Sequence, residues 1–422
     1  MKHITIIQLT RLGDIVQTLP LINDIKTVFP EAHLKIIINV VFEDATTFLN
    51  EVEVITVSLS LLDSNPKIIH NKQDLLINLN NSTISKNLAH SIEADMKIGF
   101  GTEQSSEWTS FITSFLKHRY LNSLNLVDIF RHIFNLKFNN IKVSNDNNKI
   151  NDCKIDKSQQ IAIQCGARNI KRQFTIQQYI DIAEFYLSRN YSVYLLGLQN
   201  ESNNAELIKK HINHNRLIDT TGKTNLNDLI DIIQNCEQIY TPDTGTMHLA
   251  ALYKTPITAL FSGPAFPYET LAYTSNITVF MPDTDIFKCY PCKEDEKCLN
   301  GFECRFLDLK NHFQNEINQN FVKLNVSYDR IGQILTPIND YALIYRIFIK
   351  YYFFNDLQDS ICNSKVKDKI QRELKIWNRL NINNLDIAEK NLEFLMPLIY
   401  YYILNSDNTL IDKAIEFFRS TI

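Results

Sequence analysis

Between residues 161 and 261, short apolar runs alternate with longer segments of helical spacing. IAIQC (161–165), YSVYLL (191–196), EQIYT (237–241) and PITALF (256–261) read as strands. IQQYIDIAEFYLSR (176–189) and LNDLIDIIQNC (226–236) repeat apolar residues three and four apart and read as helices. Thr175 and Gln178 supply a T-x-x-Q capping box that starts the first of these helices. Strand–helix alternation of this kind predicts a parallel sheet wrapped by helices, with ligands at the carboxyl ends of the strands.

Residues 1–100 repeat the rhythm. HITIIQL (3–9), HLKIIIN (33–39), DLLINL (74–79) and MKIGF (96–100) read as strands, and a helix is predicted from about Asp14 to Val28, closed by Pro30. The polar stretch NNIKVSNDNNKINDCKIDKSQQ (139–160) is the predicted linker. The expectation is therefore two α/β domains, 1–150 and 151–336, facing each other across a cleft. Residues 337–422 carry the aromatic helical patterns YALIYRIFIKYYFF and LEFLMPLIYYYIL and are assigned to a helical appendage. Arg346 and Lys350 interrupt the first pattern, which favours a packed helix over a bilayer span.

Composition agrees with this division. A chain of 422 residues exceeds one ordinary core, and 45% apolar with 21% charged residues is the mix of a soluble globular protein. The formal charge of −4 gives no general attraction to nucleic acid, so any anion site is local. A charge arrives too early in MKHITIIQLTRLGD for a secretory or membrane segment, which predicts a cytoplasmic chain with reduced thiols. Only ten residues are glycine. Gly166, Gly197, Gly222, Gly245 and Gly263 all fall near predicted strand ends, where backbone geometry or a ligand excludes a side chain.

Four segments carry candidate chemistry. In TPDTGTMHLAALY (241–253) a strand ends at Asp243, Thr244 and Gly245 turn, and a helix from about Thr246 aims amide donors at an anion; Gly245 admits a diphosphate to the backbone. An ordinary cap by Asp243 or Thr244, with His248 facing solvent, fits the same residues. In QCGARNIKRQFT (164–175), Arg168, Lys171 and Arg172 share one strand-to-helix loop and suit a diphosphate leaving group; a solvated basic loop fits as well. In RLGDIVQTLP (11–20), Asp14 follows the first strand, either as general base toward an acceptor hydroxyl or as N-cap of the next helix. CYPCKEDEKCLNGFEC places Cys289, Cys292, Cys298 and Cys304 in one loop, with Lys293 and Lys297 favouring thiolates. A structural S4 site for zinc or iron is expected, with free thiols or a redox pair as the alternative.

Together these segments resemble glycosyltransferase family 9, the heptosyltransferase family, over residues 1 to about 305. The matching residues are Arg11, Leu12, Gly13, Asp14, Thr18 and Pro20; Gly166, Ala167, Lys171 and Arg172; and Pro242 to Ala251, followed by Thr255, Pro256, Gly263 and Pro264. Weaker echoes lie in Asp74 to Leu79 and Lys97 to Phe100. The resemblance implies a GT-B fold of two Rossmann-like domains, the first binding acceptor and the second binding a nucleotide sugar, typically ADP-heptose. It implies transfer with inversion to a hydroxyl of a lipopolysaccharide core or a protein, without a catalytic metal, some relatives holding a metal in cysteines at the place of Cys289 to Cys304. Asp14 becomes the base and Lys171 the phosphate-neutralising cation. Gly166, Arg168, Arg172, Glu201, Asp243, Thr244, Gly245, Thr246, Met247 and His248 become donor-binding, Glu201 by contact with the adenosine ribose. Gln173 stands where tryptophan is usual and FSGPAFPYET carries an inserted Ser262, so the sugar-facing part of the donor pocket departs from the family pattern. A GT-B enzyme acting on a UDP-sugar, or a nucleotide-sugar-binding scaffold without turnover, are the other readings. Attachment to the inner membrane surface and self-association through the appendage are the expected larger-scale contacts.

Overall fold

The computed structural model describes residues 1–62, 69, 71–102, 109, 112, 119, 124–138, 159–309, 313, 320–329, 332–337 and 346. The boundary at 150/151, most of the predicted linker, and the appendage apart from Pro337 and Arg346 lie outside the described residues.

Two sheets organise the chain. The first comprises β1 (His3–Ile7), β2 (His33–Asn39), β3 (Glu53–Val57), β4 (Gln73–Asn78) and β5 (Ala94–Gly99), in the spatial order β3-β2-β1-β4-β5. All its pairings are parallel. The central strands are continuous apolar runs because helices cover both faces; Ile4, Ile6 and Ile7 are wholly buried. Helix α1 (Leu12–Val28) starts two residues earlier than predicted and continues through Pro20, and α2 (Thr83–Ser91) follows β4.

The second sheet comprises β6 (Gln160–Gln164), β7 (Ser192–Leu196), β8 (Leu217–Asp219), β9 (Gln238–Pro242), β10 (Ile257–Leu260), β11 (Ile277–Pro282), β12 (Phe321–Asp329) and β13 (Gly332–Thr336), in the order β13-β12-β11-β10-β9-β6-β7-β8. The strands β6 to β11 pair in parallel, as expected, whereas β12 pairs antiparallel with β11 and with β13. The last predicted strand, PITALF, is thus followed by three more. Helices α4 (Ile176–Leu187), α5 (Ser202–His211), α6 (Leu226–Asn235) and α7 (Gly245–Leu252) link the parallel strands. The capping box of α4 forms as predicted, Gln178 N donating to Thr175 Oγ1 and Thr175 N to Gln178 Oε1.

Strand order reverses between β1 and β4 in the first sheet and between β6 and β9 in the second. A crevice opens at such a reversal because successive connections leave on opposite faces of the sheet. The loop after β1 leads into the first turn of α1, which carries Asp14; the loops after β6 and β9 carry Lys171 and Asp243. The candidate residues therefore lie where this fold class places its ligands.

Helix α3 (Leu126–Asn135) binds the two halves. It packs on α1, where Asp24 accepts from Arg131 Nε at 2.7 Å and Nη2 at 2.9 Å and from Asn135 Nδ2 at 2.7 Å. On the side of the second sheet, Asn125 Nδ2 donates to Leu271 O and Gln333 Oε1, both at 2.7 Å. Asp128 accepts from Tyr273 Oη at 2.7 Å and Gln333 N at 2.9 Å. Burial pushes the Asp128 carboxyl up to about 7, against the pull of Tyr273, Arg131 and Arg346.

Candidate active site

The loop after β1 turns into α1 with Arg11 at the N-cap and Asp14 at the third helical position. Asp14 is therefore not the cap residue of this helix. Its Oδ2 accepts from Thr10 Oγ1 at 2.6 Å and from Arg11 N at 3.3 Å. Behind it lies a buried amide network that the motif gave no sign of. Asn80, from the end of β4, donates to Gln8 Oε1 at 2.6 Å and accepts from Leu9 N at 2.6 Å, which fixes the loop leading to Asp14 against the neighbouring strand.

The turn after β9 meets this loop directly. The Cβ absent from Gly13 would lie 2.7 Å from His248 Cδ2, and that of Gly245 would lie 3.6 Å from Leu12 Cδ2. Gly13 thus lets the starts of α1 and α7 approach, whereas a side chain at Gly245 would make only an ordinary contact. The side of Gly245 on which a Cβ would stand looks onto Leu12. Val16 of α1 shares a buried cluster with Met247, Ala250 and Phe261, so the junction is apolar as well as close. His248 is buried rather than facing solvent. Burial lowers its pKa to about 4, with Asp14 pulling weakly the other way. Met247, expected among the donor contacts, is a wholly buried core residue.

Thr244 occupies the N-cap of α7 without a side-chain cap bond, its hydroxyl lying 3.0 Å from Thr241 Oγ1. Thr246 donates to Gln164 Oε1 at 2.7 Å, and Gln164 Nε2 donates to Glu201 Oε2 at 3.0 Å. Glu201 also accepts from Leu198 N at 2.9 Å. Gly166 has no side chain because Glu201 fills the space; an added Cβ would stand 2.5 Å from Glu201 Cδ. Burial raises the Glu201 pKa despite both bonds. Gln164, absent from the sequence expectations, connects Glu201 to the α7 turn; its polar side chain inside an otherwise apolar strand was the available signal.

The basic loop is divided in its loyalties. Arg168 is exposed. Arg172 Nη1 donates to Asp243 Oδ2 at 3.2 Å, and Nη2 lies 3.6 Å from Glu294 Oε1. Burial raises the Asp243 pKa, and Arg172, Thr270, Arg11 and Arg119 all draw it back, which puts cations from both halves around one carboxylate. Lys171 instead points into the cysteine-bearing loop, donating to Lys293 O and Glu294 O, each at 3.1 Å, and to Glu296 O. Ser262, the inserted residue, donates to Lys171 O at 2.8 Å. Gly263, at φ +58°, lies against Lys171, where a Cβ would meet Lys171 Cβ at 2.5 Å. Gln173 Nε2, in the place of the usual tryptophan, donates to Ala167 O at 2.8 Å and closes this loop on itself.

Arg119 also went unpredicted. Its guanidinium reaches the second half, with Nε 2.9 Å from both Glu269 carboxylate oxygens and Nη2 2.6 Å from Glu269 Oε2 and Pro264 O.

Cys289, Cys292, Cys298 and Cys304 share an irregular loop in which Asn300 Nδ2 donates to Cys289 Sγ and Phe302 N to Cys298 Sγ, both at 3.3 Å. Among the described residues no group of three or more Cys, His, Asp or Glu side chains is arranged to hold a metal ion. The expected four-thiolate site therefore has no support from the described side chains. Burial raises the Cys292 and Cys304 thiols above their ordinary range, which opposes the thiolate form expected from the neighbouring lysines. Among the described residues, no helix is long and apolar enough to cross a membrane.

Two doubly wound halves with their strand-end loops in contact define a GT-B protein. A profile for glycosyltransferase family 9 (heptosyltransferase) matches residues 66–302, more than half the chain, and the chain belongs to that family. Lipooligosaccharide heptosyltransferase 2 of Haemophilus influenzae is 33% identical over 104 residues, which are 24% of this chain and 30% of that relative. The alignment thus spans less than a third of that relative's length. Lipopolysaccharide core heptosyltransferase OpsX of the same organism is 24% identical over 282 residues, 62% of this chain and 79% of that one. The structure of E. coli heptosyltransferase WaaC with ADP superposes with a TM-score of 0.51 at 14% identity, covering 66% of this chain and 92% of that one.

Proposed function

We propose that this protein is an inverting glycosyltransferase that moves a heptose or related sugar from ADP-heptose to a hydroxyl of a lipopolysaccharide core or protein acceptor. The first half binds acceptor, the second binds donor, and the reaction takes place in the cytoplasm. The observation that carries the reading is the meeting of Arg11 to Asp14, after β1, with Arg172 and Asp243, after β6 and β9, at the strand-order reversals of both sheets. Heptosyltransferases among the relatives, and one solved with ADP, support the choice of donor.

In this mechanism the acceptor oxygen attacks C1 of the sugar from the face opposite the diphosphate. Asp14 Oδ1 takes its proton, while Oδ2 stays held by Thr10 and Arg11 N. The bond from C1 to the phosphate oxygen breaks, its electron pair leaves with ADP, and the configuration at C1 inverts. Glu201, fixed by Leu198 N and Gln164, receives the ribose hydroxyls. The donor-facing turn consists of Asp243, Thr244, Gly245 and Thr246.

The test pairs binding with turnover. ADP should raise the thermal midpoint more than UDP does. Asp14→Asn should retain that shift while losing at least about a hundredfold in ADP release from ADP-heptose with acceptor. Full activity of Asp14→Asn removes Asp14 as base, and a larger shift with UDP assigns the site to another nucleotide.

A further inference from the structure

Asp14 has two carboxylate oxygens, and a base needs one of them aimed at the acceptor. Its Oδ2 lies 2.6 Å from Thr10 Oγ1 and 3.3 Å from Arg11 N. The first distance is that of a strong hydroxyl-to-carboxylate bond and the second is long for an amide donor, so Thr10 does most of the holding. Yet the Thr10 hydroxyl has one proton and a second acceptor in reach, because Gln8 Oε1 lies 2.8 Å away.

The buried amide of Asn80 decides between the two. Leu9 N can only donate, so the Asn80 atom 2.6 Å from it is Oδ1, and Nδ2 is turned to the other side, 2.6 Å from Gln8 Oε1 and 3.4 Å from Thr10 Oγ1. Gln8 is oriented to match. Thr18 gives its proton to Asp14 O at 2.8 Å, which leaves Thr18 Oγ1 to accept from Gln8 Nε2 at 3.4 Å and turns Gln8 Oε1 toward Asn80. Gln8 Oε1 therefore already has a donor, and Asn80 presents a hydrogen rather than a lone pair to Thr10. The Thr10 proton is left for Asp14. Asn80 is itself anchored, its N donating to Asn78 Oδ1 at 3.1 Å and its O accepting from Ser85 Oγ at 2.8 Å. Gln8 and Asn78 are wholly buried and Asn80 nearly so, which keeps water from reversing the order of donors.

We propose that Thr10 is a positioning residue for the transfer, its hydroxyl proton committed to Asp14 Oδ2 by Asn80, so that Oδ1 is the oxygen presented to the acceptor. The proposal rests on the reading of Asp14 as base. In the step itself the acceptor O–H proton passes to Oδ1, the acceptor oxygen bonds to C1, and the electron pair of the broken C1–O bond leaves with ADP. Thr10 keeps its own proton throughout.

The test follows ADP release from ADP-heptose, with a lipopolysaccharide core lacking heptose as acceptor. Thr10→Val removes the hydroxyl from an exposed position at nearly constant volume. It should lower kcat about tenfold while the KM for ADP-heptose and the thermal shift given by ADP stay as in the wild type. Thr10→Ser restores the hydroxyl and should remain within about threefold of wild type. In the Asp14→Asn background, Thr10→Val should cost less than about twofold, because a residue that acts through the carboxylate has nothing left to act on. Asn80→Asp, assayed at about pH 8 where the new side chain is ionised, has no hydrogen for Gln8 Oε1, which then draws the Thr10 proton away from Asp14. It should lower kcat about tenfold alone and add less than about threefold to Thr10→Val. Wild-type kcat in Thr10→Val overturns the proposal, as does an equal loss from Thr10→Val with and without the Asp14 carboxylate. Losses from Asn80→Asp and Thr10→Val that multiply overturn the part given to Asn80. No ADP release by the wild-type chain, or full activity of Asp14→Asn, defeats the reading of the site and takes this inference with it; a crippled Asp14→Asn beside a normal Thr10→Val sinks the inference alone.

Discussion

Replacing His248 by glutamine should change how the stability of this protein depends on pH. His248 lies against Gly13 at the junction of the two halves, and burial lowers its pKa from 6.5 to about 4. Below pH 6.5 an unfolded chain takes a proton at this position that the folded chain refuses, so folding loses free energy as pH falls. The window runs from 6.5 down to about 4. At about 1.36 kcal/mol for each pH unit across that window, the full effect is roughly 3 kcal/mol, and the slope is steepest between about pH 6 and 5. Asp128 acts in the opposite sense. With its pKa raised to about 7, it stabilises the fold most in acid and progressively less toward neutrality, so the wild-type profile is a sum of opposing slopes. Subtracting the His248→Gln profile from the wild-type profile removes Asp128, which both share. Urea unfolding at half-unit steps from pH 7.5 to 5 should give a wild-type-minus-variant difference that is flat above pH 7 and falls by about 1 kcal/mol per unit below 6. Parallel profiles refute the argument, because they mean His248 takes up its proton as readily folded as unfolded.

Other outcomes follow from the junction and the donor turn. Gly13→Ala puts a methyl group 2.7 Å from His248 Cδ2 and should cost about 1–3 kcal/mol in urea unfolding as α1 and α7 are forced apart. Asp24→Ala removes the carboxylate from the buried Arg131 and should destabilise by about 3–5 kcal/mol, which would be seen as a large fall in the denaturation midpoint at constant m. Gly166→Ala displaces the Glu201 carboxylate from Leu198 N and Gln164 and should weaken ADP binding by roughly tenfold, measured by calorimetry, with little change in fold stability.

The chain states its parallel core openly. Continuous apolar runs such as HLKIIIN and IAIQC become buried central strands, and Thr175 caps its helix as the spacing requires. Short or two-sided elements were harder to read. β8 is only three residues long, and α3 has a polar stripe of Asp128, Arg131, His132 and Asn135 that resembles a solvent face although every one of these residues is buried. β12 did carry a signal, since Val322, Leu324, Val326 and Tyr328 alternate with Lys323, Asn325 and Ser327. Motif spacing put Asp14, Arg172, Asp243 and Glu201 forward as candidates. It could not show that Lys171 turns away from them, because the three carbonyls that hold it lie more than 120 positions later in the chain. Nor could it show that Gly13 makes room for His248 across the junction. The same limit explains the cysteines: spacing shows that four thiols share a loop, whereas coordination depends on where their sulfur atoms converge.

Helix α3 sets an order on assembly. Asp128 is complete only when Tyr273 and Gln333 have arrived, residues separated from it by 145 and 205 positions. A nascent chain that has finished the first sheet therefore still lacks the partners for a buried carboxylate, and must wait until the last strand of the second sheet has been synthesised. Long-range closure of this kind slows folding. It also binds the fate of one half to the other: a fragment ending near residue 138 would leave Asn125 and Asp128 without these acceptors and donors. The two halves of this protein are thus expected to melt together, as one cooperative unit.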